Sequence, residues 1–418
     1  MPQALVGLIV ASMTDLKIEN KFVFLLAAVQ FAHIVDFVVL MPLGPTLMLD
    51  FNISPAQFGS LVSSYNFSAA ITGLVFSTIA DRFDRKKLLD LSMLGFIIGT
   101  VLCGLAPSFS LLLLGRILTG VFGGILNILV FALVTDLVPF ERRGNAMGVV
   151  MASFSVASVI GIPIGLAISD YISWHWTFFF IAFFSSFIAF AGWKILPNRP
   201  VEKDFTPAKE VAIRFITLLK RVDYLRAYGL ILMSAMSMFF IIPFLSPYAV
   251  HNIGIETGQL KYMYFVAGIC TIFTARAFGK MTDRHGSFTI FSLIAILSIL
   301  PIWIYTHTGP LSFGLYLVLS AIFMSMVSGR MIPVMTMVSQ VPDSADRGTF
   351  MGLLNSLRSF GTASATLLAG LIISEDAAGN IVGFEKVGYI TISLTLLSIF
   401  VARGVFYRSK NITKMPTL

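Results

Sequence analysis

Twelve apolar runs, each about as long as a bilayer is thick, dominate this chain. A helix needs ~20 predominantly apolar residues to cross the hydrocarbon core. Runs of that kind lie at 22–43, 54–80, 86–105, 109–135, 145–170, 175–195, 224–250, 258–280, 287–306, 311–338, 348–373 and 384–407. In lipid every backbone N–H and C=O must find its partner inside the protein, which for segments of this length means helices. The expected architecture is an all-α membrane protein with twelve transmembrane helices. Its charge content agrees: 12% of residues are charged, against ~25% in an ordinary soluble domain.

Charge placement orients the bundle. With the N-terminus inside, 23 of the 29 Lys and Arg fall in cytoplasmic segments, as the positive-inside rule describes. Both termini are expected in the cytoplasm of a cell with a bacterial-type inner membrane. The pI near 9.5 is thus a topological signal and gives no reason to expect a nucleic-acid partner. Cys103 and Cys270 both lie within spans and offer no disulfide or metal-ligand spacing. The methionines at 324, 326, 331, 335 and 337 read as packing residues. LVGLIVASM near the N-terminus is too short to span and lacks a preceding basic region, so it does not resemble a cleaved signal peptide.

The chain is also internally duplicated. Asp81-Arg82 in STIADRFDRKK and Asp283-Arg284 in GKMTDRHG stand 202 residues apart. Pro42 and Pro243, and Arg143-Gly144 and Arg347-Gly348, repeat at offsets of 201 and 204. A period near half the chain predicts two six-helix units, at 1–195 and 223–418, joined by a cytoplasmic linker at 196–222. Within the linker, 207–221 fits either an amphipathic helix on the inner leaflet or a flexible tether.

These motifs resemble the major facilitator superfamily, in its twelve-helix drug/proton antiporter branch and the sugar-efflux-like neighbours of that branch. The loop between the second and third spans of that superfamily reads G-x-x-x-D-R-x-G-R-[KR]. Ser77 through Lys86 keep the acid, the Arg and the basic tail, with Ser77 and Asp84 where the glycines stand. The second copy keeps Gly279 and Gly286. Arg116 and Gly120 match the Arg motif of the fourth span, with Thr119 where the family often has Gln. Gly161, Pro163 and Gly165 match the helix-kink motif of the fifth span, and Trp174 to Phe178 the aromatic entry to the sixth.

The resemblance implies a carrier that works by alternating access. A loop latch made by Asp81, Arg82, Arg85, Asp283 and Arg284 would close the inner side, with Asp81 near the positive end of the eleventh helix.

Ionisable residues inside the bilayer are expensive, so they are candidates for function. Asp36 is the one acid well inside a span, with Gln30 and His33 on nearly the same face; the position 201 later is Ser237. Desolvation favours the neutral form of a carboxyl, which suits a proton-coupling site; a structural ion pair is the alternative. His33 reads as a tuning group or a packing hydrogen-bond donor. Four intramembrane arginines face this one acid: Arg116, Arg276, Arg330 and Arg358. Arg276 can snorkel to the cytoplasmic loop, and Arg116 carries the family's association with proton transfer. Arg330, Asn355, Arg358, Asn66, Asn127 and Gln30 are candidates for the substrate cavity. Two arginines there would favour an anionic or zwitterionic solute, since guanidinium binds carboxylate or phosphate bidentately.

The expected function is secondary active transport of a small organic solute, proton-coupled and directed outward. The proton is the coupling ion, no other cofactor is expected, and the carrier works as a monomer in the lipid bilayer. A carrier of organic anions, carboxylate-type siderophores or lysolipids in either direction is the alternative within transport. A membrane sensor or scaffold that moves no solute is the alternative of another class. An enzyme is not expected, because the sequence has no phosphate-binding loop, nucleophile elbow or metal-ligand cluster.

Overall fold

The computed structural model describes residues 2–79, 83–197, 217–343 and 346–412, with the backbone alone for 2–18, 77–79, 140, 222–223 and 407–412. Ten spans are long and apolar enough to cross a membrane by length and composition. Pro55–Ile79 and Arg347–Ile372 are also long enough, at 25 and 26 residues. These last two, the second and eleventh spans, make the most extensive contact of any helix pair. Their lower apolarity fits helices that face protein on more than one side.

The other spans depart from straight helices at places the sequence marks. The first runs from Pro2 to Val39, turns, and continues as Gly44–Phe51. The fourth is one helix, Phe109–Leu137. The fifth is built from Arg143–Val156, a π-helical turn at Ala157–Gly161, and Ile162–Tyr171. The seventh starts with Val222–Phe239 and also ends in a π-helical turn, at Ala249–Ile253. The tenth is interrupted at Arg330, between Phe313–Gly329 and Met331–Ser339. The third (Arg85–Gly104), sixth (Trp174–Ile195), eighth (Leu260–His285), ninth (Ser287–His307) and twelfth (Phe384–Ile412) complete the set.

Local chemistry explains several ends. Asp84, which replaces a glycine of the loop motif, caps the third span by accepting from the backbone N–H of Lys86 at 2.9 Å and Lys87 at 3.2 Å. A short hairpin, Ser374–Glu375 paired antiparallel with Ile381–Val382, joins the last two spans. Asn252 docks it with both amide atoms on the backbone of Ile381. The N–H groups of Asn380 hold the Asp376 carboxyl in the hairpin turn below its ordinary carboxylate range.

Packing places one apolar cluster between residues 23 and 196 and another between 218 and 405, while a third draws on both parts of the chain. Lipid supplies no hydrophobic force between helices, so close approach depends on small residues. The fourth span shows this best. A Cβ on Gly124 would stand 2.7 Å from the Ala69 carbonyl, and one on Gly120 would run into the backbone of Tyr65. The second and fourth spans therefore touch backbone to backbone beside Arg116.

Candidate functional site

Asp36 and Arg116 meet in this tightly packed region. Each side chain has 0% exposure, and Arg116 Nη1 donates to Asp36 Oδ2 at 2.7 Å. The same nitrogen reaches the Asp36 carbonyl at 3.2 Å, and Thr100 Oγ1 lies 3.4 Å from Asp36 Oδ1. The guanidinium sits 4.8 Å over the Tyr65 ring, a cation–π contact. Tyr65 Oη is in turn 3.4 Å from His33 Nδ1. Four spans thus converge on one ion pair: the first brings Asp36 and His33, the second Tyr65, the third Thr100 and the fourth Arg116.

Of the four arginines expected to face Asp36, one pairs with the acid, the arrangement that the ion-pair alternative describes. Its partner is Arg116, 80 residues away in sequence. The pair is single-pronged: Arg116 Nε and Nη2 are buried without a hydrogen-bond partner among the described residues. His33 Nε2, Gln30 Oε1 and Asn66 Nδ2 share that condition. Buried donors and acceptors left unpaired are costly, and among the described residues they occur in both halves of the chain, with two of them on Arg116 itself.

The site is wired to the seam between the halves. Phe37, next to Asp36, stacks on Tyr65 at 5.1 Å and on Phe239 of the seventh span at 6.1 Å. Toward the end of the bundle away from the termini, Gly59 and Gly370 bring the second and eleventh spans together, and Phe58 packs on Phe244. Lys261 donates to Asp170 at 3.0 Å, an ion pair from the eighth span to the fifth. Phe67 against Phe360 continues the contact along the second and eleventh spans.

The other expected site residues are dispersed. Gln30 Nε2 donates to Asn127 Oδ1 at 3.1 Å, so these two meet across the first and fourth spans. Arg330 is 4% exposed and donates to Thr395 Oγ1 at 2.7 Å, which buries it against the twelfth span. Asn355 and Arg358 are half-buried on the eleventh span. Arg276 is exposed. Gly161, the last residue of the π-helical turn, and Gly165 pack against Val35 and Val39 of the first span, with Pro163 between them.

Of the latch residues, Asp81 and Arg82 lie outside the described residues. Arg85 pairs with Asp136 at 2.5 Å, joining the third span to the end of the fourth. Asp283 and Arg284 are exposed at the end of the eighth. Sequence reasoning gave no sign of Thr100, Tyr65 or Thr395 as partners. Glycines four apart at 120 and 124 were the available signal, since they require another backbone to approach Arg116's helix.

The fold and site together define a helical membrane protein with a buried ion pair beside the seam of two repeats. The chain belongs to the Major Facilitator Superfamily, whose family model matches residues 26–366 and 227–411. It is accordingly a multi-pass membrane transporter and not an enzyme. It is 27% identical over 379 residues to the MFS-type transporter YceJ of Bacillus subtilis (strain 168), covering 90% of this chain and 95% of that one. It is 24% identical over 392 residues to a probable sugar efflux transporter of Helicobacter pylori (strain HPAG1), covering 93% and 95%. Among solved structures, a bacterial homologue of the human lysosomal transporter Spinster, inward-facing and occupied, superposes with a TM-score of 0.73 at 16% identity, over 93% of this chain and 96% of that one. A mutant of the nucleoside transporter NupG gives 0.74 at 12% identity, over 93% and 100%.

Proposed function

We propose that this carrier exports a small organic solute in exchange for protons, and that the Asp36–Arg116 pair is the coupling element. The observation that carries the reading is the complete burial of both partners. Protonating Asp36 removes one charge and strands the other. Stranding a buried charge costs ~3–5 kcal/mol, which is most of the ~5.5 kcal/mol needed to turn a 1:99 equilibrium into 99:1. One proton at this position therefore has enough leverage to bias alternating access. Phe37 carries the change to Phe239 in the other half. The Asp81-Arg82 loop and its repeat at Asp283-Arg284 act as the cytoplasmic corners that close when the opposite face opens.

Outward direction is supported by the Gly161-Pro163-Gly165 motif and by the name of the Helicobacter relative. The reading is tested in proteoliposomes holding the purified protein and loaded with candidate solutes. An imposed pH gradient should drive uphill solute movement that a protonophore abolishes. Uphill movement that survives the protonophore would remove the proton as coupling ion.

A second reading concerns the solute. Arg358 is half-buried, lies mid-helix and has no ion-pair or hydrogen-bond partner among the described residues. If it reads the solute, anions are favoured. Arg358→Met should then reduce transport of carboxylates far more than of cations, and equal losses would argue against it.

A further inference from the structure

The two halves treat a buried arginine differently. In the first half, Arg116 of the fourth span faces the built-in acid Asp36. In the second, Arg330 lies on the tenth span, the counterpart of the fourth in the repeat, and the counterpart of Asp36 is Ser237. Ser237 is uncharged and turns its hydroxyl to its own helix, donating to the Ser234 carbonyl at 3.1 Å. Arg330 is thus an arginine at 4% exposure whose hydrogen bond goes to a neutral hydroxyl, that of Thr395.

Its hydrogen bonds are also incomplete in a telling way. Nη1 donates to Thr395 Oγ1 at 2.7 Å, while Nη2 is buried with no partner among the described residues. Thr395 has spent its own proton on the Thr391 carbonyl, at 2.8 Å. Thr391 stands one turn away on the same face of the twelfth span, is 0% exposed, and its hydroxyl has no partner among the described residues. A guanidinium offers donors only, and a helix-embedded Thr hydroxyl normally donates to the carbonyl four residues back. The local inventory among the described residues is therefore one unspent guanidinium donor, one unpaired hydroxyl, one positive charge and no acid.

We infer that Arg330 and Thr391 hold a small anion inside the second half, supplied from solution because no acid among the described residues pairs with Arg330. The ligand is a halide or a compact carboxylate group, bound by Arg330 Nη2 and the Thr391 hydroxyl. This site is distinct from the Asp36–Arg116 pair and does not depend on that pair's role in coupling.

The test is thermal unfolding of the purified full-length protein in detergent, moved into gluconate buffer and titrated with chloride or with formate at constant ionic strength. A ligand that binds only the folded state raises the midpoint with a saturable dependence on its concentration. Wild type should show that saturable rise. Arg330→Met should abolish it while unfolding no earlier than wild type in gluconate, because a buried unpaired charge has been replaced by an apolar chain. Thr391→Val keeps the charge and should weaken the anion roughly tenfold, which corresponds to one lost hydrogen bond, and it serves if Arg330→Met does not fold. Benzoate separates the two sources of the ligand: displacement of chloride assigns the site to a solute carboxylate, and failure to displace it assigns a resident inorganic ion. Either result supports the site. No saturable rise in wild type, or the same rise in both variants, overturns it.

Discussion

Asp36 and Arg116 are bonded at 2.7 Å with neither side chain reaching solvent, so the one deep acid of the first half and its cation form a single electrostatic unit. Breaking such a unit from one side leaves an unpaired charge in the bundle; removing both sides does not. Arg116→Gln and Asp36→Asn should each lower the unfolding midpoint clearly, by the equivalent of about 3 kcal/mol. The double variant should recover at least half of the summed loss. A double-variant midpoint at the sum of the single losses would mean that the two residues contribute independently.

Tyr65 holds Arg116 from the side through its ring and reaches His33 through its hydroxyl. Tyr65→Phe keeps the ring and loses the hydroxyl, so it should leave stability nearly unchanged. Tyr65→Leu should cost ~1–2 kcal/mol, the scale of a desolvated cation–π contact. Equal thermal shifts for the two variants would place the hydroxyl, and not the ring, in charge of positioning Arg116.

The backbone contact between the second and fourth spans has its own signature. A side chain at Gly120 or Gly124 must push those helices apart, and overpacking of this kind costs ~1–3 kcal/mol. Gly124→Ala should therefore lower the unfolding midpoint and impair transport. Gly144→Ala, where nothing lies within 4 Å of the new Cβ, should do neither.

At the end of the bundle away from the termini, Lys261 and Asp170 tie the eighth span to the fifth. Both are partly exposed, so their pair is worth ~0.2–1 kcal/mol and is weakened by salt. Asp170→Asn should raise the population open at this face by a factor of roughly 1.5 to 5. Distances between spin labels across that face measure the shift, and no change at low salt would exclude the pair from the seal.

Much of this fold was written in the sequence because the bilayer imposes a long, repetitive pattern. Helix number, the duplicated loops and the bends at Gly161-Pro163 and Pro243 all follow from local composition. The family followed as well, since its motifs sit in loops and at helix positions that need no tertiary knowledge. The pairings did not. Whether Arg116, Arg330 or Arg358 meets Asp36 depends on how helices rotate against one another, and an apolar span gives little account of its own rotation. Arg330 shows the limit well. Its sequence context named it as a cavity candidate, but nothing in the span itself pointed to Thr395 of the twelfth span as the group it donates to. Asp84 shows the reverse case, where a departure from the loop motif proves to be a good helix cap.

The central claim is that protonation of Asp36 converts a pH gradient into solute movement. Its most direct test compares two fluxes in proteoliposomes bearing Asp36→Asn: uphill transport driven by a pH gradient, and solute exchange at equal pH on both sides. The account predicts that the gradient-driven flux disappears while exchange persists, because the carrier still alternates but no longer responds to protons. Uphill transport at the wild-type rate in this variant would contradict it.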